Sequence, residues 1–336
     1  MSAVQIPPTE EAPVSLPEDP EARSLRLTGA AFVATLVLTV VALLVSINQI
    51  FNLGAFGLRP ISTAYYYLVI AVFGAIGFLA YPARKADKGT ARWFDWALAA
   101  VILAVGLWLA FNARTMTDRG WAERAPGEAI VLAGVFLVVV LEALRRTGEI
   151  ILFVFVLIFA CYPLYADFMP GFLWGVSFSF PQAIQQHVFG LESVIGIPTQ
   201  VVSDTLIGFL VFGVVLATTG GGAFFMDFAS AMMGTTRGGP AKVAIISSGL
   251  FGMLSGSPTS NVLTTGTLTI PTMRRCGYPP VYAAAVEACA STGGALMPPV
   301  MGTAAFIMAN FLNVPYGEVV LAAFLPAMLY YLALFI

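Results

Sequence analysis

Long apolar runs separated by short polar or charged links set the pattern of this chain. A helix that crosses hydrocarbon needs about 20 apolar residues. Runs near that length predict spans at 27–51, 64–81, 94–113 and 129–144, with the link "RRTG" leading into a fifth at 150–168. The weakly polar stretch 169–197 contains "SFPQAIQQHVFGLESVIG", which predicts an amphipathic helix lying at the membrane interface. A sixth span follows at 198–219. The "GGG" of 220–222 is expected to end it, and "AFFMDFASAMMG" to form a short helix in the membrane plane. Beyond lie two interrupted apolar segments, 241–273 and 280–311, and a last span at 318–336. The predicted fold is an all-α polytopic membrane protein with about eight transmembrane helices, one of them broken, plus one re-entrant helical hairpin.

Composition strengthens this class. The 336 residues are 59% hydrophobic and 10% charged, against about 25% charged in soluble domains. A net charge of −2 supplies no basic face for a nucleic acid. Cys161, Cys276 and Cys289 match no metal-ligand or redox spacing. The polar, Pro- and Glu-rich segment 1–26 lacks the apolar core of a signal peptide and is expected to be a disordered cytoplasmic tail.

Lys and Arg concentrate in cytoplasmic loops. With the N-terminus inside, Arg23, Arg26, Arg84, Lys85, Lys88, Arg92, Arg145, Arg146, Arg237, Lys242, Arg274 and Arg275 all fall inside. Only Arg59, Arg114, Arg119 and Arg124 fall outside. That bias requires 241–273 to enter and leave the membrane on the same side.

The tip of that hairpin, "LSGSPTSNV", is polar and uncharged. Broken backbone is tolerated in hydrocarbon only where protein buries it or it lines a watery cavity. Gly256 permits unusual dihedrals, and Pro258 suits the first turn of a second half-helix. Ser255, Ser257, Thr259, Ser260 and Asn261 offer neutral oxygens for a hard cation. Capping or interhelical hydrogen bonding is the plainer role for such a stretch. A second break, "EACASTGGALMPPVMG", shifts the balance, because paired interruptions point to a transporter site. It brings Ser291, Thr292, Gly293, Gly294 and the prolines Pro298 and Pro299. Glu287 is the main intramembrane acid here. It is either functional or, as the favoured expectation, close enough to the cytoplasmic end to reach water or Arg274 and Arg275. Asp204 and Asp227 are expected at the interface, and His187 on the outer surface.

These residues resemble the permeases of tripartite ATP-independent periplasmic (TRAP) transporters. "GGPAKVAIISSGLFGMLSGSPTSNVLTTGTLTIPTMRRCGYPP" is similar to the first hairpin of the large, DctM-type subunit, with a Gly-rich lead-in, an S-G-S tip and a G-Y turn. "STGGALMPPVMGTAAFIMANF" resembles the broken helix that follows, and "VPYGEVVLAAFLPAMLYYLALFI" the span closing the first repeat. Residues 27–147 resemble a fused small subunit of four helices, ahead of a first part of the large permease at 148–336. The arrangement looks most like fused permeases that serve TAXI-type binding proteins. Where that subfamily often carries polar or acidic residues, this chain has Ala295 and Asn310.

The resemblance implies sodium-coupled uptake of an organic anion, often a dicarboxylate such as a C4-dicarboxylate, across the bacterial inner membrane. A periplasmic binding protein delivers the substrate, and an elevator motion carries it, with no cofactor beyond the coupling ion. The family has two inverted repeats. One hairpin here is therefore expected to represent half of such a transporter, C-terminally truncated. The candidate site set, for substrate and coupling ion together, is Ser255, Gly256, Ser257, Thr259, Asn261, Ser291, Thr292, Gly293 and Pro298. Within it, Ser257 and Thr292 are the expected sodium ligands, and Glu287 is a further candidate. The two broken segments are expected to meet.

Other classes fit less well. A channel needs a continuous polar lining, which the first five spans lack. An intramembrane serine protease needs a base beside its nucleophile, and no His or Lys falls within a later span. A non-transporting structural membrane subunit remains the alternative.

Overall fold

The computed structural model describes residues 27, 29–55, 59–81, 83, 91–148 and 150–336. The expected tail at 1–26, and the side assignments of Arg23, Arg26, Arg84, Lys85 and Lys88, lie outside the described residues. Among the described residues the regular structure is helical, without strands. Six helical runs are long and apolar enough to cross a membrane.

Four of the six come first: α1 (Ala30–Ile50), α2 (Ser62–Ala80), α3 (Trp93–Asp118) and α4 (Gly127–Thr147). Small residues let α2 and α3 cross closely. A β-carbon on Gly106 would lie 2.4 Å from that of Ala71, the kind of approach that replaces hydrophobic driving force inside a bilayer. At one end of this unit the guanidinium of Arg146 is buried. It meets Asp95 at 2.5 Å and Glu142 at 2.8 Å, and lies 4.9 Å from the centre of the Phe78 ring.

Helix α5 (Ile150–Cys161) is shorter than the expected span at 150–168. Pro163 has no N–H to continue the ladder, and the chain passes into single 3₁₀ turns at Tyr162–Leu164 and Ala166–Phe168. Helix α6 (Phe180–Phe189) is the amphipathic element, capped by Ser179 and Gln182. Its apolar face is not left to the interface: Ile184, Val188 and Phe189 are buried in the core built by α2, α3 and α4. His187 on α6 is half-buried, not a free surface residue. Its Nδ1 lies 2.8 Å from the Ser193 hydroxyl and its Nε2 2.8 Å from the Ala160 carbonyl.

The helical stretch Ile197–Met233 breaks at the glycines, as expected for the end of the sixth span. It comprises α7 (Ile197–Val201), a wide π turn, α8 (Ile207–Leu216), a second π turn and α9 (Gly222–Met233). Gly220, at φ 99°, is non-helical and separates α8 from α9 at a kink, a dihedral glycine adopts freely. The first π turn has a visible partner. Consecutive tyrosines of α2 reach it, Tyr65 donating to the Ser203 carbonyl at 2.8 Å and Tyr66 to the Asp204 carboxylate at 2.7 Å. Tyr67 donates to the Val188 carbonyl of α6 at 2.6 Å. Both Asp204 and Asp227 are exposed.

The remainder forms the site: α10 (Gly239–Ser255), α11 (Pro258–Arg275), α12 (Pro280–Gly293), α13 (Thr303–Leu312) and α14 (Tyr316–Phe335).

Candidate functional site

Helices α10 and α11 are the two arms of a hairpin whose tip is Gly256 and Ser257. Gly256 ends α10 in the left-handed conformation, at φ 58°. Ser257 is extended and caps α11, its hydroxyl accepting from the Ser260 N–H at 3.4 Å. Pro258 then opens α11, where its missing N–H costs nothing. The far ends of the arms come back together. A β-carbon on Gly238 would lie 3.8 Å from the Tyr278 hydroxyl, and Ala244, Met273 and Ala283 pack as one buried cluster.

The tip presses on the interruption between α12 and α13. A β-carbon at Gly256 would fall 1.9 Å from the Met301 carbonyl oxygen, so only glycine fits. The Val300 N–H donates to the Met253 carbonyl at 3.2 Å, and the Gly302 N–H to the Ala295 carbonyl at 2.8 Å. Tyrosines of α14 satisfy more of the freed carbonyls. Tyr316 donates to Val300 at 2.6 Å, Tyr330 to Cys289 at 2.8 Å and Tyr331 to Ala290 at 2.9 Å. The interrupted backbone is thus paired by protein, as hydrocarbon demands. The Ser255 hydroxyl oxygen at the tip differs: it is buried and has no hydrogen-bond partner.

Behind the tip lies a buried polar core. The Asn261 side chain donates to the Ser248 carbonyl at 2.8 Å. The hydroxyls of Ser248 and Ser291 lie 2.9 Å apart. Ser291 donates to Glu287 at 3.0 Å, and Thr265 and Thr269 reach the two oxygens of the same carboxyl at 2.5 Å each. Glu287 is fully buried. The expectation that it reaches water or Arg274 and Arg275 is overturned: both arginines are exposed, and no ion pair joins Glu287 to a described cation. Hydroxyls from α11 close over it because Gly266, 3.2 Å from the Glu287 γ-carbon by its notional β-carbon, lets the helices approach.

The expected set is brought together in part. Gly256 meets Met301, and Asn261 and Ser291 share Ser248. Gly293 is buried under the Tyr330 and Tyr331 rings. Ser257 and Pro298 are partly buried, while Thr259 is exposed at the start of α11. Thr292 is not turned toward Ser257. It is exposed and donates to the Ala288 carbonyl at 2.7 Å. The sequence pattern does not single out Ser248, Gly252, Thr265, Thr269 or the tyrosine pair. One signal was available: Asn261, Thr265 and Thr269 recur at i, i+4, one polar stripe on one face of α11. Among the described residues no group of three or more His, Cys, Asp or Glu side chains could hold a metal.

Comparisons with known proteins agree with this architecture. The family described as "Tripartite ATP-independent periplasmic transporter, DctM component" matches residues 135–336. The C4-dicarboxylate TRAP transporter large permease protein DctM of Pseudomonas aeruginosa is 35% identical over 121 residues, covering 36% of this chain and 28% of that protein. Its namesake in Vibrio cholerae is 34% identical over 124 residues, 37% of this chain and 27% of that protein. The isethionate TRAP transporter permease protein DctMQ of Oleidesulfovibrio alaskensis is 34% identical over 91 residues, 27% of this chain and 14% of that protein. The chain thus spans under a third of the length of these relatives. No solved structure matches.

Proposed function

The chain belongs to the DctM component family of tripartite ATP-independent periplasmic transporters, and from that premise we propose that it acts as a multi-pass permease of the bacterial inner membrane. Its N-terminus lies in the cytoplasm. It takes an organic anion, a dicarboxylate or similar carboxylate, from a periplasmic substrate-binding protein of the TAXI type. Sodium drives the uptake, and the hairpin domain moves as an elevator. It is a transporter and not an enzyme. The family match begins at residue 135 and leaves α1–α3 outside it, which supports a small subunit fused ahead of the large one.

The observation that carries this reading is the hairpin tip. Two interrupted segments meet, and between them the buried Ser255 hydroxyl lacks any partner. An unpaired buried hydroxyl costs about 1–3 kcal/mol, a cost that a bound cation removes. The end of α10 turns its last carbonyls toward the same place, which favours a cation. The N-terminus of α11, with Thr259 exposed on it, favours an anion. Ser255 and Ser257 are therefore the sodium-facing hydroxyls, with Ser257 the one already expected. Thr292, which bonds its own helix, is the weaker member of the expected pair.

The test is the sodium concentration giving half-maximal uptake, measured with the full-length permease and saturating loaded binding protein. Ser255→Ala and Ser257→Ala should each raise it several-fold while binding-protein docking is kept. Unchanged values in both would remove sodium from the tip.

A further inference from the structure

Glu287 has no role in the sodium scheme, yet its surroundings are the most complete polar construction in the described residues. Its carboxyl is fully buried and touched by three hydroxyls from two helices, Thr265 and Thr269 on α11 and Ser291 on its own α12. A bare buried charge is costly unless paired. On the elements packed against it the titratable side chains are Lys242 on α10, Arg274 and Arg275 on α11, Tyr282 and Cys289 on α12, and Tyr316, Glu318, Tyr330 and Tyr331 on α14. Lys242 sits over the Phe335 ring, 4.9 Å from its centre. Tyr330 and Tyr331 donate to backbone carbonyls. None of the cations is ion-paired to Glu287. Nor, among the described residues, does it belong to a group of three or more His, Cys, Asp or Glu side chains that could hold a metal. The threonine oxygens stand in direct hydrogen-bond contact with both carboxyl oxygens, at 2.5 Å.

We infer that Glu287 is a proton-binding site of the hairpin domain, distinct from the sodium-facing tip and loaded or emptied by rotation of hydroxyls alone. Each neighbouring hydroxyl has a second acceptor in reach. Thr265 lies 2.9 Å from the Asn261 carbonyl, Thr269 lies 3.1 Å from the Thr265 carbonyl, and Ser291 lies 2.9 Å from the Ser248 hydroxyl. With Glu287 ionised, all three hydroxyls can donate to it. When a proton arrives, the carboxyl donates to one threonine, and that threonine turns its own hydrogen to the backbone carbonyl. Charge and hydrogen count balance: a hydronium ion of the bathing solution gives one proton and becomes water, the carboxylate becomes a neutral carboxyl, and no bond in the protein is broken on loading. The same chain of contacts reaches the hairpin, since Ser248 bonds Ser291 and its carbonyl holds Asn261, four residues after the tip. Proton occupancy is therefore felt by both arms. The inference rests on the permease reading for its purpose, but not for its chemistry.

The test is infrared spectroscopy of the whole chain in lipid bilayers, titrated from acid to alkaline pH. Wild type should show a protonated-carboxyl C=O band, slow to exchange with deuterium, that titrates as one proton and is missing from Glu287→Gln. Thr269→Val should keep the band and move it to higher frequency, because one hydrogen bond to the carboxyl is lost. Circular dichroism checks that each variant is folded. If Glu287→Gln does not fold, Thr269→Val decides by itself. A wild-type spectrum with only ionised-carboxylate signals at every pH, or a folded Thr269→Val with an unshifted spectrum, overturns the site. No transport is measured, so a titrating Glu287 in a protein that fails the sodium test keeps this site and removes sodium from the tip alone.

Discussion

Gly252 and Gly294 meet backbone to backbone: a β-carbon on Gly252 would lie 2.5 Å from the Gly294 α-carbon and 2.8 Å from the Asn261 amide nitrogen. This contact lets α10 lie against the end of α12, and it places the hairpin tip on the broken backbone. A glycine inside a helix costs about 0.5–1 kcal/mol relative to alanine, and the close approach accounts for Gly252 in the last turn of α10.

Gly252→Ala should therefore destabilise the protein despite the better helix former. Overpacking of this kind costs about 1–3 kcal/mol. Thermal unfolding in a matched detergent is the measurement. Gly127→Ala, at the start of α4 with nothing within 4 Å, is the control and should leave the midpoint unmoved. Equal midpoints for both variants would show that the two helices do not touch here.

How far the chain announced this arrangement differs from element to element. The tip was legible because Gly256, Ser257 and Pro258 are polar or helix-breaking residues in an apolar chain, and each has a local job that needs no distant partner. The paired breaks were legible for the same reason. Glu287 was legible as a candidate but its full burial was not, because its position on α12 says nothing about which side chains of α11 close over it. The π turn over Val202–Leu206 was hidden likewise: its carbonyl partner, Tyr65, lies 138 residues away. The amphipathic pattern of α6 was read correctly as a one-sided helix. Its buried side faces α4 and not lipid, which periodicity alone cannot distinguish.

The tyrosine bonds from α2 should have a measurable worth. Tyr65→Phe removes the hydroxyl from the Ser203 carbonyl while keeping the ring. A typical intramolecular hydrogen bond contributes about 0.5–1.5 kcal/mol, and a loss in that range is the expected outcome of equilibrium unfolding. Combining it with Tyr66→Phe tests coupling through the shared turn. A double variant as stable as wild type would mean that the π turn holds itself.

Arg146 should be far less tolerant. Its side chain is 2% exposed and its partner Asp95 4%. Removing one member of a buried ion pair strands the other, at about 3–5 kcal/mol. Arg146→Met should thus unfold easily or fail to accumulate, and Asp95→Asn added to it should recover much of the loss. If the double variant is no better than Arg146→Met, the cation's packing on Phe78 is the larger contribution.

The hairpin itself makes a topological prediction. Arg237 precedes α10 and Cys276 follows α11, and both are exposed. The near contact of Gly238 and Tyr278 puts these two positions at one end of the structure. A segment that crossed the membrane once would separate them by the thickness of the hydrocarbon, about 30 Å. One single-cysteine chain keeps Cys276 and replaces Cys161 and Cys289 with alanine. A second carries Arg237→Cys and replaces all three natural cysteines. A membrane-impermeant thiol reagent is then applied to right-side-out and inverted vesicles. Both positions should label from the same side, the cytoplasmic one by the charge bias of the loops. Labelling of Cys276 and of Arg237→Cys from opposite sides would mean that α10 and α11 do not form a re-entrant pair in the bilayer. The proposal of a sodium site at the tip would then lose its ground.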